Sequence, residues 1–308
     1  MARASLSHSR RSRKESPADI RSHDPSPLLL ASGLTPAGAA ELLAPYGLTD
    51  LKLADANLQS MAGEPRTRQL LARVLGELLA SLAQTADPDQ GLTHWDRFLQ
   101  AGLNRNQLLD YLNGTPRMLH LLCTIFGNSP SMAQTLIRDP LLVYWLAEEQ
   151  VLTRRPTREM LAASLRMMLA NVTAAELQWD ALRRFRRRET LRIGVRDMLK
   201  LADVPETTAA LTDLACVLIQ AAYEIADAGL SRQYGKPKHK DSVGRLVETG
   251  YAVIAMGKLG GGELNFSSDV DLLYVYASEN GATSPAGHMS QKESSRGISN
   301  EEYFERLS

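Results

Sequence analysis

The stretch from Tyr251 to Tyr276, YAVIAMGKLGGGELNFSSDVDLLYVY, constrains the fold more than any other part of the chain. It contains an apolar run, three consecutive glycines, and then Asp269 and Asp271 at the start of a second apolar run. Burying a carboxylate is costly unless it is paired or bound to a cation. The two aspartates therefore indicate a functional site built into the strands.

The hydrophobic pattern predicts two strands separated by a glycine-rich turn. Residues 251–256 form an apolar run bounded by glycines, which is typical of a strand buried on both faces. Residues 270–276 resume the strand pattern. Because strand side chains alternate between faces, Asp269 and Asp271 are expected to project from one face.

Two adjacent carboxylates predict a cation site. They repel each other, so either the pKa of one rises or a divalent cation neutralises both. Magnesium favours one or two carboxylates together with phosphate oxygens and water. Asp269 and Asp271 are thus the candidate catalytic residues and Mg²⁺ ligands.

The residues before the aspartates are candidate phosphate contacts. Gly260 and Gly261 allow close approach of another group and can offer backbone N–H groups to a phosphate. Lys258 can approach a phosphate, although no Gly-x-x-x-x-Gly-Lys-Ser/Thr loop is present. Ser267 and Ser268 can either bond phosphate or cap the backbone before the strand.

The motif resembles the signature of the DNA polymerase β-like nucleotidyltransferase superfamily, which is Gly-Gly, a short spacer and Asp-x-Asp. The longer string GKLGGGELNFSSDVDL, residues 257–272, resembles the glutamine synthetase adenylyltransferase and adenylyl-removing enzyme family. The Glu-Leu-Asn-x-Ser-Ser-Asp wording is closer to the first, deadenylylating half of that family. The segments at 119–142 and 182–193 resemble the helical region that precedes this half.

The resemblance implies an enzyme that modifies glutamine synthetase in the cytoplasm. Its first half removes AMP from a glutamine synthetase tyrosine by phosphorolysis and yields ADP, and its second half attaches AMP from ATP. Both halves require Mg²⁺, and the full enzyme responds to the PII signal protein. Asp269 and Asp271 would hold the metal, and Gly260, Gly261 and Ser267 would contact phosphate.

The expected fold class is α+β and predominantly helical. We expect a disordered tail over residues 1–27, a helical region over 28–203, and a nucleotidyltransferase α/β core over 204–308. The Ser-, Arg- and Pro-rich start lacks hydrophobic periodicity, whereas Gly and Pro residues punctuate a succession of short helices after it. Cys123 and Cys216 lie far apart in helical patterns, which predicts packed thiols.

A row of arginines has two interpretations. Arg184, Arg188, Arg192 and Arg196 recur at four-residue intervals, where like charges destabilise a helix unless something pairs with them. Pairing with Asp180, Glu189 and Asp197 is the structural interpretation. Contact with nucleotide phosphate or an acidic partner surface is the functional one.

The third carboxylate that the superfamily uses has no counterpart in strand context after Asp271. We therefore expect an incomplete core with an exposed sheet edge, belonging to a fragment of a longer enzyme. The alternative function is a non-catalytic module that docks on glutamine synthetase or on a separately encoded remainder.

Charge and composition disfavour other partners. The formal net charge is zero and no basic-aromatic surface is indicated, so nucleic acid is not expected as a partner. No membrane partner is expected, because no apolar stretch approaches membrane-spanning length. The six histidines show no Cys/His ligand spacing, so the sequence does not indicate a zinc site.

Overall fold

The computed structural model describes residues 23–284 and 297–308. Within these ranges the chain forms two compact units, which meet in sequence between Ala147 and Glu148. Helices predominate, and the strands are short and antiparallel, so the α+β class is confirmed. Of the tail predicted over 1–27, residues 1–22 lie outside the described ranges, and the first helix within those ranges begins at Pro27.

The first unit, unit 1, is helical throughout its described part. Its helices are α1 (Pro27–Leu30), α2 (Pro36–Leu43), α3 (Leu51–Ala62), α4 (Pro65–Leu82), α5 (Pro88–Gln100), α6 (Arg105–Gly114), α7 (Pro116–Asn128), α8 (Pro130–Arg138) and α9 (Leu142–Leu146). Several begin at a polar residue whose side chain accepts a backbone N–H bond, followed by proline at the first position, as at Asp87-Pro88 and Ser129-Pro130.

The core of unit 1 is closed around an aromatic cluster. Trp95, Phe98 and Phe126 are fully buried, and the rings of Trp95 and Phe126 meet edge to face with centroids 5.1 Å apart. The Trp95 indole donates to the Cys123 sulfur at 3.3 Å. Burial raises the pKa of the Cys123 thiol to about 12, so it stays protonated. The packed-thiol prediction is confirmed for this residue, and Cys216 is a half-buried free thiol.

The second unit, unit 2, combines helices with two small sheets. Its helices are α10 (Glu149–Thr153), α11 (Arg158–Leu169), α12 (Ala175–Met198), α13 (Val204–Tyr234), α14 (Gly257–Gly260) and α15 (Asn300–Leu307), and its strands are β1 (Pro237–Lys240), β2 (Leu246–Glu248), β3 (Tyr251–Ala255), β4 (Leu272–Tyr276) and β5 (Ala282–Thr283). One sheet has the order β2-β1-β5, and the other pairs β3 with β4.

Helix α13 is the helix of unit 2 against which several other helices pack. By length and composition α13 could cross a membrane. The sequence-based expectation that no apolar stretch approaches membrane-spanning length therefore does not hold for the length and hydropathy of this helix. However, α11, α12 and α15 all pack against it. Its residues Leu211, Leu214 and Val217 belong to the hydrophobic core of unit 2. A helix that packs into a core is apolar because it buries such side chains.

The boundary between the two units lies earlier in the chain than the predicted boundary at residues 203 and 204. Helices α11 and α12 share a hydrophobic core with α13 and with the glycine turn, through side chains such as Leu161, Phe185, Leu214 and Leu259. A helical composition continues across residue 147, and it gives no sign that the core changes there.

The strands of the motif are not buried on both faces, which corrects the sequence-based expectation. Burial alternates along β3, and Ile254 on β3 and Leu273 on β4 are 44% and 51% exposed. These two residues face each other across the register, with Val275 two residues further along β4. Since β3 pairs only with β4 among the described strands, the predicted free sheet edge is present.

Beneath the opposite face of β3, a groove of about 610 Å³ runs between that strand, α11 and α13. Val253 of β3 and Leu165 of α11 are among the apolar side chains that line it. The motif sheet therefore rests on an incompletely filled layer of helices.

Candidate functional site

The β3–β4 hairpin brings the two ends of the motif together. Ala255 pairs with Leu272 at the end of the ladder, and the Met256 N–H donates to the Asp271 carbonyl oxygen at 2.9 Å just beyond it. The second strand begins at Leu272, so Asp269 and Asp271 precede it instead of lying within it. Both aspartates are exposed. The pairing therefore places Asp271 directly beside the residue that starts the glycine turn.

The glycine turn is a single helical turn closed by a left-handed residue. Gly262 has φ +75°, its N–H donates to the Leu259 carbonyl at 3.2 Å, and the Glu263 N–H donates to the Lys258 carbonyl at 2.9 Å. This pair of bonds is the Schellman arrangement for ending a helix, which favours glycine at the left-handed position. Among the three consecutive glycines, only Gly262 has positive φ.

Gly260 and Gly261 differ in whether their positions leave space for a β-carbon. A β-carbon on Gly260 would lie 2.4 Å from the Ala255 carbonyl oxygen, so only glycine lets α14 approach β3 this closely. A β-carbon on Gly261 would meet only ordinary contacts. The N–H groups of both residues donate within the turn, to the Met256 and Gly257 carbonyls. The backbone donors that the sequence assigned to phosphate are therefore already engaged.

Gly257 is a site residue that sequence reasoning did not single out. It has φ +54°, and a β-carbon there would lie 3.3 Å from Asp271 Oδ2. The Asp271 carboxylate thus rests against the backbone of the first residue of α14. The sequence signal for Gly257 was its position directly after the apolar run of residues 251–256. This position lies opposite Asp271 once the two strands pair.

The loop from the glycine turn to the aspartates has internal order. The Asn265 side-chain oxygen accepts from the Ser267 N–H at 3.1 Å and from the Ser268 hydroxyl at 2.7 Å. Of the two open roles for the serines, Ser268 takes the turn-stabilising one. The Ser267 hydroxyl and the Lys258 ammonium lie on exposed residues, and no hydrogen bond to either group is found within the described part of the chain.

The aspartates provide an incomplete but suitable set of metal ligands. Asp269 and Asp271 supply hard carboxylate oxygens at the exposed end of a strand, which is the ligand chemistry that Mg²⁺ accepts. Among residues 23–284 and 297–308, no group of three or more His, Cys, Asp or Glu side chains could hold a metal ion. The two residues could therefore supply only part of a metal's ligands, and the others would have to be phosphate oxygens and water.

Most of the arginine row is structural. Arg188 and Arg192 pair with the buried Glu189, at 2.7 and 3.5 Å, so the structural interpretation is confirmed for these two. Arg192 also donates to the Val151 carbonyl in the middle of α10, and burial lowers its pKa. These contacts fasten α10 to α12.

The remaining members of the row behave differently. Arg196 pairs with Glu206 at 2.7 Å and donates to the Leu152 carbonyl. Asp197, the partner expected from spacing, instead accepts from the Thr207 hydroxyl. Arg184 is exposed on the surface of α12. Only this end of the row is open to a partner.

Stacked aromatic rings fix the far end of the hairpin. The Tyr251 ring lies between those of Tyr223 on α13 and Phe304 on α15, with centroids 5.6 and 5.2 Å away. Phe304 also stacks on Tyr276, the partner of Tyr251 in the register, at 4.7 Å. The hairpin is therefore anchored at one end by aromatic packing and at the other by the glycine turn.

Sequence comparison relates the chain to a known protein family. A family model described as glutamate-ammonia ligase adenylyltransferase matches residues 119–308, which include the whole motif. A bifunctional glutamine synthetase adenylyltransferase/adenylyl-removing enzyme of Brucella suis biovar 1 is 34% identical over 209 residues, covering 68% of this chain and 20% of the relative.

A second relative with the same description, from Thioalkalivibrio sulfidiphilus, is 30% identical over 242 residues. That match covers 78% of this chain and 24% of the relative. The chain thus spans about a fifth to a quarter of the length of the curated relatives it matches. By the extent of the family match and by these identities, it belongs to the glutamate-ammonia ligase adenylyltransferase family.

Proposed function

We propose that this chain carries the nucleotidyl-transfer site that removes AMP from an adenylylated tyrosine of glutamine synthetase by phosphorolysis. The observation that carries the proposal is the junction of Asp271 with the glycine turn, where its Oδ2 faces Gly257. The amino-acid sequence of the motif favours the deadenylylating half of the family. Both relatives are named for adenylyl transfer and adenylyl removal. Glutamine synthetase, ADP or ATP, and phosphate are the proposed partners.

Each residue has a role that its position supports. Asp269 and Asp271 hold Mg²⁺, which when bound would neutralise charge on the phosphates. Lys258 and Ser267 offer an ammonium and a hydroxyl to phosphate oxygens. Gly260 and Gly261 contribute by shape, since their N–H groups bond within the turn. Gly260 lets α14 lie close to β3.

Phosphorolysis is a displacement at phosphorus. A phosphate oxygen forms a bond to the AMP phosphorus, the bond from that phosphorus to the tyrosine oxygen breaks, and the products are ADP and the free tyrosine side chain. Catalysis of such a transfer is mainly positioning and charge stabilisation. We also propose a cytoplasmic location and regulation by the PII signal protein, both by family resemblance.

The direct test incubates adenylylated glutamine synthetase with the chain, inorganic phosphate and Mg²⁺. We expect ADP release together with loss of AMP mass from glutamine synthetase. The double variant Asp269→Asn, Asp271→Asn should lose this activity. Glu279→Gln, an exposed acid just after β4, is the control that should retain it. ADP release by the double variant would contradict the catalytic role proposed for Asp269 and Asp271.

A second candidate function is a docking module without catalysis. It is favoured by the finding that Asp269 and Asp271 gain no third acidic neighbour among the described residues. Calorimetry separates the two functions. Mg²⁺-dependent binding of ADP favours the enzyme, whereas binding to glutamine synthetase with no nucleotide binding favours the module.

A further inference from the structure

A threonine far from the motif in sequence holds the loop that carries the aspartates. The Leu264 N–H donates to the Thr212 hydroxyl oxygen of α13 at 3.2 Å, and both residues are 7% exposed. The same hydroxyl donates to the Thr208 carbonyl at 2.9 Å. The hydroxyl is therefore fixed by its own helix and presents a lone pair to the loop.

This hydrogen bond lies at a buried point of the loop. Leu264 and Leu259 enter the core of unit 2 beside Leu211 and Leu214 of α13. A backbone N–H buried among apolar side chains is costly without an acceptor. Thr212 thus lets Leu264 stay in the core, and the hydroxyl sets where the loop sits along the helix.

The fixed point is connected to the metal ligands by a short, bonded turn. Asn265 follows Leu264 directly, and its side chain accepts from Ser267 and Ser268. The Asn265 carbonyl also accepts from the Ser268 N–H at 3.3 Å. Asp269 is the next residue, so its position depends on the anchor at Leu264. At the other end of the loop, β3–β4 pairing fixes Asp271 independently.

We propose that Thr212 is a positioning residue for the cation site, acting through Leu264 and the Asn265 turn on Asp269. This inference rests on the proposed role of the two aspartates as Mg²⁺ ligands. The separation of Asp269 from Asp271 decides whether both can bind one ion. Loss of the Thr212 hydroxyl should therefore spread the pair while leaving both carboxylates present.

The test compares Thr212→Val, which removes the hydroxyl at nearly constant volume, with Thr212→Ser, which keeps it. Thr208→Val is the matched control, because among the described residues the Thr208 hydroxyl bonds only to carbonyls of its own helix. Hydrogen exchange of residues 264–271 reports the loop without any metal. Mn²⁺ titration by water-proton relaxation reports the site.

We expect Thr212→Val to speed exchange of residues 264–271 and to weaken Mn²⁺ binding by about 10-fold or more, the usual effect of losing a group that orients metal ligands. Thr212→Ser and Thr208→Val should behave as wild type in both measurements. Unchanged exchange, or unchanged Mn²⁺ affinity, in Thr212→Val would overturn the inference. A failure of the proposed metal site is distinguishable, since Asp269→Asn with Asp271→Asn would then also leave Mn²⁺ binding unchanged.

Discussion

Two regions of the chain, the aromatic cluster of unit 1 and the motif hairpin of unit 2, differ in how far their apolar side chains are buried. In unit 1 the aromatic cluster of Trp95, Phe98 and Phe126 is fully buried, although Leu141 near the end of the unit is exposed. In unit 2 the hairpin that carries the motif leaves Ile254, Leu273 and Val275 exposed by 44% to 51%. Asp271 is also exposed and directly precedes β4, the strand that carries Leu273. The aromatic cluster of unit 1 is a closed core, whereas the motif hairpin of unit 2 presents an open apolar surface beside the candidate site.

The comparison shows where the stability of the chain resides. A residue in the closed core contributes burial and packing, while one on the open face contributes little to folding and is free to serve binding. Exposed apolar residues scattered singly are ordinary, but several on one strand pair beside two carboxylates form a surface. Pairs of variants, one on a buried side chain and one on an exposed side chain, test this contrast.

The largest effect is expected from the aromatic cluster of unit 1. Phe126→Ala should destabilise the chain by about 3–5 kcal/mol, because it removes a fully buried ring and leaves a cavity. Leu273→Ala on the open face should cost less than about 1 kcal/mol. Urea denaturation followed by tryptophan fluorescence measures both. Equal losses in the two variants would erase the contrast between the units.

The second effect tests the buried half of the arginine row. Arg196→Met should cost about 3 kcal/mol, since it leaves Glu206 without its cation in a largely buried site. Arg184→Met, on the exposed part of the same helix, should change stability by less than about 0.5 kcal/mol. The measurement is again the denaturation midpoint. An unaffected Arg196→Met variant would show that this ion pair does not hold α12 to α13.

The third and smallest effect concerns the glycine turn. Gly260→Ala should cost about 1–3 kcal/mol, because its β-carbon would press on the Ala255 carbonyl. Gly261→Ala should be neutral or stabilising by up to about 1 kcal/mol, since its backbone is right-handed and its surroundings are open. Thermal denaturation checks both, and a reversed order would contradict the close approach of α14 to β3.

Sequence patterns predicted the local parts of this site and missed the distant ones. The strand pair, the turn between its strands and the adjacency of Asp271 to the glycines follow from spacing within one 26-residue stretch, Tyr251 to Tyr276. Thr212, however, lies 52 residues before its partner Leu264. Nothing in a helical pattern marks one threonine as the acceptor for a loop that follows much later.

The degree of strand burial was also beyond local reasoning. An apolar run looks the same whether one or two layers cover it, so the pattern at 251–256 indicated a strand buried on both faces. Likewise, the arginine row was expected to pair with acids of its own helix, Asp180, Glu189 and Asp197. Glu206, the partner of Arg196, lies on the following helix and comes close only after α12 and α13 pack.

The register of the motif hairpin has a consequence for the order of folding. Ala255 pairs with Leu272 across an interval that contains the entire glycine turn and both aspartates. Closing a loop of that length loses chain entropy before any strand contact compensates for it, whereas helices form from neighbouring residues at little such cost. We therefore expect the helices of unit 2 to form first and to serve as a template. The cation site would be among the last parts of the chain to assemble during synthesis.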